Sequence, residues 1–246
     1  MIDRAAVITG AAGGIGHALV AAFNAAGYRT IAVDVRATEA DADAIVDIDL
    51  DDYCRDESRR EQYNRRLLEA VGSSALGVLV NNAAVQVVKD IGSLSVSDWQ
   101  KTLNVNLVAP FLLSQALLEC LRSARGSVVN IASIHATLTK PGFACYATSK
   151  AALVGLTRSM AVEIGSTVRV NAICPAAIAT PMLVAGFAEH SGLRDELDAM
   201  HPIGRIGEPE EVAQAAVFLA SEAAAFINGA ALTLDGGIGS RLHDPC

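Results

Sequence analysis

Apolar residues recur along the chain in two alternating patterns. Short, mostly β-branched runs at 5–9, 30–34, 44–49, 77–81, 127–132, 168–173 and 231–234 have the length and continuity of strands. Longer segments with a helical period lie between them, at 14–26, 57–71, 95–121, 144–164 and 208–220. Boundary signals agree: Gly27 stops the first helix, Ser95 or Ser97 caps another, and Pro209 stands where a first-turn proline belongs. This alternation predicts a doubly wound, Rossmann-like α/β fold, a seven-stranded parallel sheet with helices on both faces. It is expected to form a single domain over residues 1–246, with ligands beyond the carboxyl ends of the strands. The irregular stretch 176–207 is expected to act as a substrate lid. There Met182, Leu183, Val184, Phe187, Leu193, Leu197 and Met200 suggest an amphipathic helix pair, a pattern that an interface helix shares.

Composition narrows the partners. At 52% hydrophobic and 19% charged residues, the 246-residue chain is too apolar for disorder and long enough for one sizeable core. Its 19 Lys and Arg against 27 Asp and Glu leave a net charge of -8, which argues against a grip on nucleic acid. The densest basic stretch, residues 55–66, is interrupted by Asp56, Glu57 and Glu61 and reads as a solvated helix face. No run approaches the ~18 apolar residues of a membrane span, and the first strand begins without a cationic leader, so a soluble cytoplasmic protein is expected. Cysteines 54, 120, 145, 174 and 246 are odd in number and lack ligand spacing, as expected for reduced thiols with no metal site.

Two motifs carry chemistry. Thr9-Gly10-Ala11-Ala12-Gly13-Gly14-Ile15-Gly16 follows the first strand and opens the first helix. Such a turn lets backbone N–H groups and a helix N-terminus approach a pyrophosphate, although glycine turns also serve packing alone. The next strand ends at Asp34, whose carboxylate can accept hydrogen bonds from an adenosine ribose and would repel a 2′-phosphate. NAD is therefore favoured over NADP. Arg36 dissents, but reads as an exposed arginine after a strand. The second motif pairs Tyr146 with Lys150 on one face of a helix. A neighbouring ammonium stabilises a phenolate and lowers its pKa toward a range useful for proton exchange with an alcohol. A tyrosine stacked on a lysine stem is the plainer alternative.

In this order the motifs resemble the short-chain dehydrogenase/reductase family, in its single-domain branch, over nearly the whole chain. The resemblance rests on Gly10, Gly14 and Gly16, on Asn81-Asn82-Ala83-Ala84, on Asn106, Ser133, Tyr146 and Lys150, on Asn171 with Pro175 and Thr180, and on Asp235-Gly236-Gly237. It implies hydride transfer between NAD(H) and a secondary alcohol or ketone. Tyr146 would be the general acid/base, Lys150 would hold the nicotinamide ribose and lower the Tyr146 pKa, and Ser133 would polarise the substrate oxygen. Asn106 would anchor a water chain relaying protons from Lys150. The resemblance further implies Gly10, Gly14, Ile15 and Gly16 at the phosphates, Asp34 at the ribose, and Asp49 with Leu50 beside the adenine. Asn82 and Ala83 would line the middle of the cleft, and Pro175, Ile178 and Thr180 would approach the nicotinamide. A homo-oligomer, tetramer or dimer, is implied, with the tail 238–246 reaching a neighbour.

Departures from the family pattern are Ala176 where glycine is usual and a short stretch from Asp34 to Asp49, which implies a shortened or missing crossover helix. His135 and Lys140, in the loop after Ser133, together with Gln86, suggest a polar pocket for a hydroxylated or acidic substrate; a solvent-facing loop would also carry them. Cys145 reads as a small buried residue. A sugar-like or hydroxy-acid substrate is expected before a steroid or fatty acyl group. A catalytically idle NAD-binding scaffold is the alternative, although it has no chemical need for the complete set Asn106, Ser133, Tyr146 and Lys150.

Overall fold

The computed structural model describes residues 4–36, 40–181, 183 and 191–242. Seven strands, β1 (Arg4–Thr9), β2 (Tyr28–Asp34), β3 (Ala44–Asp47), β4 (Ala75–Asn81), β5 (Ser127–Ile131), β6 (Arg169–Pro175) and β7 (Ala231–Leu234), form one parallel sheet. Their order is β3-β2-β1-β4-β5-β6-β7. The direction of winding reverses between β1 and β4, and a crevice opens beyond the carboxyl ends of those strands.

Alternation along each strand feeds two cores. In β1, Ala5 and Val7 point into one apolar cluster, and Ala6 and Ile8 into the other. The first cluster is covered by α2 (Leu50–Arg55), α3 (Glu57–Val71), α5 (Ala109–Ala116), α6 (Leu118–Ala124) and α7 (Ala144–Ile164), through Tyr53, Leu67, Leu113, Leu121 and Ile164. The second is covered by α1 (Gly14–Ala25) and α9 (Pro209–Ala220), through Leu19, Phe23, Val212 and Leu219. The helix α8 (Ser191–Met200) lies in the expected lid stretch; Met182, Val184 and Phe187 fall outside the described residues, as do 243–246 of the tail.

The structure departs from the sequence expectation in three places. The helix expected over 95–121 is broken: α4 (Val96–Leu103) runs through a π-helical turn, Asn104–Val108, into α5, and α6 is bent away by 60°. Pro110 explains the widened turn, because it has no N–H to return to the carbonyl four residues earlier; Ala109 N–H instead reaches back to Asn104 O. The strand expected to reach residue 49 ends at Asp47, and Asp49 caps α2, accepting from the N–H groups of Asp51 at 2.9 Å and Asp52 at 3.3 Å. Between β2 and β3 none of the described residues 35, 36 and 40–43 is helical, as the short stretch implied. The expected caps are present at Ser95, which forms a capping box with Asp98, and at Pro209 in the first turn of α9. Among the described residues no single helix is long and apolar enough to cross a membrane.

Candidate active site

β1 delivers the chain into a turn that only glycine tolerates. Gly10 has φ +64°, and a Cβ there would stand 2.7 Å from Ala83 Cα. Thr9 and Asn82 stitch the two strand ends together. Thr9 Oγ1 accepts from Asn82 N–H at 3.0 Å and Ala83 N–H at 3.1 Å, and Asn82 Nδ2 donates to the carbonyls of Thr9 and Gly10, both at 3.0 Å. Gly16 seats α1 on the turn, since a Cβ there would meet Gly10 O at 2.1 Å. Gly13 caps the helix with no side-chain hydrogen bond, and no acidic residue in the first turn offsets its partial positive charge. Across the mouth lies Asp34, whose Oδ2 accepts from Ala12 N–H and Oδ1 from Arg36 N–H, both at 3.2 Å. An anion-binding helix end beside a fixed carboxylate suits the pyrophosphate and ribose of an adenine dinucleotide.

The flanking positions divide by direction. Asp49 is exposed, whereas Leu50 is buried among Ile48 and Tyr53, so its side chain belongs to the core. Ile178 is likewise buried, occupying the space a Cβ on Gly207 would need, 2.7 Å from its Cδ1. Thr180 meets the first turn of α1: a Cβ on Gly14 would lie 3.1 Å from Thr180 Cβ and 2.8 Å from Pro181 Cδ. Pro175 ends β6, and Ala176 continues it by donating to Leu234 O at 3.1 Å. Arg125 is the one described non-glycine residue with positive φ, so Ala176 takes the place of a glycine without strain.

β5 and α7 bring three of the candidate groups together. Ser133 is buried just past β5, close enough to the Tyr146 phenol to lower its pKa. Lys150, one turn further along α7, is 2% exposed. Its Nζ donates to Ile131 O at 2.7 Å and lies 5.6 Å from the Tyr146 ring centre. Burial lowers the Lys150 pKa to about 8, opposed by the nearby Cys174 thiol. Burial raises the Tyr146 pKa, and the Ser133 hydroxyl opposes it without reversing it. The acidified phenol expected from the Tyr146–Lys150 spacing is therefore not the direction found in the folded chain. Desolvation acts on both partners, favouring a neutral phenol and weakening the cation beside it.

Asn106, fully buried on the π turn, does something the sequence did not announce. Its Oδ1 accepts from Val85 N–H at 2.7 Å, and its Nδ2 donates to Val85 O and to Ser149 Oγ, both at 2.9 Å. Ser149 in turn donates to Tyr146 O at 2.7 Å. The amide thus clamps the cleft wall after β4 to the turn of α7 that carries the phenol, and the described contacts do not join it to Lys150. Its main-chain carbonyl faces a different constraint, because Pro110 cannot donate to it. A second buried chain, Asn81 Nδ2 to Asn130 Oδ1 at 2.8 Å and Asn130 Nδ2 to Thr157 Oγ1 at 2.9 Å, ties β4 and β5 to α7. Ser149 and Thr157 escaped the sequence reading; their helical spacing, three residues after Tyr146 and seven after Lys150, was the available signal.

Of the residues expected to form a polar pocket, His135 is half-buried in the loop after Ser133, while Lys140 and Gln86 are exposed. A separate cavity of about 90 Å³ is lined by Ala176, His201, Arg205, Glu211 and Asp235. It does not include Ser133 or Tyr146.

Known proteins share this arrangement. A family profile described as Enoyl-(Acyl carrier protein) reductase matches residues 10–239. D-threitol dehydrogenase of Mycolicibacterium smegmatis is 37% identical, over 95% of this chain and 92% of that protein. Among solved structures, a 4-hydroxyisoleucine dehydrogenase complexed with NADH is 30% identical with a TM-score of 0.86, covering 98% of this chain and 100% of that one. A gluconate 5-dehydrogenase from Burkholderia cenocepacia in complex with NADP and tartrate is 27% identical, also with a TM-score of 0.86, over 98% of this chain and 97% of that one. Together with the glycine turn at the switch point and the serine, phenol and lysine beside it, these matches show that the chain belongs to the short-chain dehydrogenase/reductase family of oxidoreductases, built around a nicotinamide-nucleotide site.

Proposed function

We propose that the protein interconverts a hydroxylated secondary alcohol and its ketone with NAD(H). The joint placement of Ser133, Tyr146 and the buried Lys150 supports this most strongly, because a structural role alone would not require a buried amine without a carboxylate partner. When bound, the oxidised dinucleotide supplies the hydride acceptor and a positive charge that favours the phenolate. Ser133 Oγ hydrogen-bonds the substrate oxygen as its charge changes. Tyr146 Oη takes the hydroxyl proton as hydride leaves the adjacent carbon, and returns it in ketone reduction. Lys150, with a pKa of about 8, exchanges that proton near physiological pH. The Asn106 carbonyl, which Pro110 cannot bond, is suited to hold a water leading from Lys150 to solvent. Gly10, Gly14, Ile15 and Gly16 would take the phosphates, Asn82 and Ala83 would line the cleft, and Pro175 and Thr180 would flank the nicotinamide.

NAD is the proposed dinucleotide, because the Asp34 carboxylate is held by two N–H groups where a 2′-phosphate would have to sit. A polar, sugar-like or hydroxy-acid substrate is supported by His135 and Lys140 in the loop after Ser133 and by the D-threitol and gluconate names of relatives. The protein is further proposed to be a cytoplasmic homo-oligomer, dimer or tetramer. Free thiols at Cys54, Cys120, Cys145 and Cys174 and an apolar edge at β7, with Leu232 and Phe226 exposed, support this. Polyols, sugars, hydroxy acids and cyclic alcohols, each with NAD and NADP side by side, provide the test through the absorbance of reduced nicotinamide. Turnover of a polar member with NAD is expected; no turnover across the panel, or a preference for NADP, would contradict the proposal.

A further inference from the structure

Four side chains close one side of the reacting centre: Ser133, His135, Phe143 and Tyr146. We propose that His135 is a subsite for a second substrate hydroxyl, on the carbon next to the one that reacts, so that the enzyme selects vicinal diols and α-hydroxy ketones over simple secondary alcohols. This rests on Ser133 and Tyr146 acting on the reacting oxygen.

Placement comes first. Ser133 Oγ accepts from the His135 N–H at 3.2 Å, so the hydroxyl that would polarise the substrate also fixes the backbone bearing the imidazole. The His135 ring stacks on Phe143, with centres 4.6 Å apart and planes 4° from parallel. It meets Tyr146 edge-on at 5.7 Å, and Phe143 meets Tyr146 in the same manner at 6.2 Å. The imidazole is thereby held in one orientation beside the phenol rather than left to solvent, which reduces the ordering cost of binding.

Chemistry then limits what the ring can do. Nδ1 lies 3.3 Å from Thr139 Oγ1, while Nε2 has no partner among the described residues. Burial, and after it the Lys140 charge, lower the His135 pKa and keep the ring neutral. A neutral imidazole can accept from or donate to a hydroxyl, depending on its tautomer. Lys140 Nζ sits 4.8 Å over the Phe143 ring, so the same wall favours oxygen lone pairs and disfavours cationic substrates. Hydroxyls on adjacent carbons stand about one hydrogen-bond length apart, which suits two polar groups on neighbouring rings. A purely packing role would be filled as well by phenylalanine, which has no polar edge.

The test compares cyclohexanol with the vicinal cyclohexanediols as substrates of the wild-type enzyme and of His135→Phe, which keeps the stack and removes the nitrogens. The wild type is expected to prefer the diols in kcat/KM, and the variant is expected to lose that preference by roughly tenfold or more, approaching a ratio of one. His135→Leu, checked for dinucleotide binding as evidence of folding, is expected to lose it likewise. A preference retained in both variants, or absent from the wild type, would overturn the subsite. Turnover of neither alcohol class by the wild type would overturn the subsite, and no turnover across the wider panel of polyols, sugars and hydroxy acids would overturn the proposed function as well.

Discussion

Lys150 shows how much of a residue's chemistry comes from its surroundings. It donates to a main-chain carbonyl, is 2% exposed and has no carboxylate partner among the described residues, and burial lowers its pKa to about 8. A lowered amine is charged below that value and neutral above it. If the ammonium holds the ribose and feeds the relay, kcat/KM for ketone reduction should be flat through neutral pH and fall above about 8, with the limb absent in Lys150→Met. A wild-type profile with no limb there would remove the lysine from the mechanism. The phenol, raised by burial, adds no limb in that range. The Tyr146–Lys150 pair was legible from its helical spacing and Ser133 only from the family resemblance, but the sign of the phenol's shift was not legible, because desolvation depends on what packs above the ring. Leu50 and Ile178 carry the same lesson. A motif position says which residue is near a ligand, not whether its side chain turns toward it.

At the scale of elements, strands and helices were readable because each kept one period over its length. The exceptions have local causes. Residues 95–121 keep an apolar repeat across Pro110, so the sequence reads as one helix where the backbone widens into a π turn. Asp49, followed by Asp51 and Asp52, is a helix start hidden inside an expected strand end. The π turn has a structural consequence. Replacing Asn106 by Ala would remove the acceptor of the Val85 N–H and the donor to both Val85 O and Ser149 Oγ. A loss of about 2 kcal/mol or more is expected in denaturant unfolding. A midpoint unchanged from wild type would mean that the clamp carries no weight.

For the whole molecule, the sheet order places the glycine turn and the proposed reacting side chains together beyond the carboxyl ends of the strands. The glycine turn and Asp34 stand at β1 and β2, and Ser133 and α7 stand beyond β5, with Asn82 between them. Outside the crevice, two carboxylates are held well below their usual range. Asp98, bonded first by the Ser95 N–H and then by Lys89, falls from 3.8 to about 2. Glu211, bonded first by Arg205 and then by the Glu208 N–H, falls from 4.5 to about 2. Depressed carboxylates stabilise the fold above their unfolded values and lose that contribution as pH falls through the folded ones. The melting temperature should therefore drop between about pH 4 and pH 2, with a smaller drop in a chain carrying Asp98→Asn and Glu211→Gln. Equal drops would place acid sensitivity elsewhere.

The central claim is that the Tyr146 oxygen moves the substrate's proton. It is tested most directly by Tyr146→Phe, measured for NADH binding by fluorescence titration and for turnover of the best alcohol with NAD. Binding within about twofold of wild type, with turnover reduced by about a thousandfold, is the expected result. Turnover retained at near the wild-type rate would contradict it.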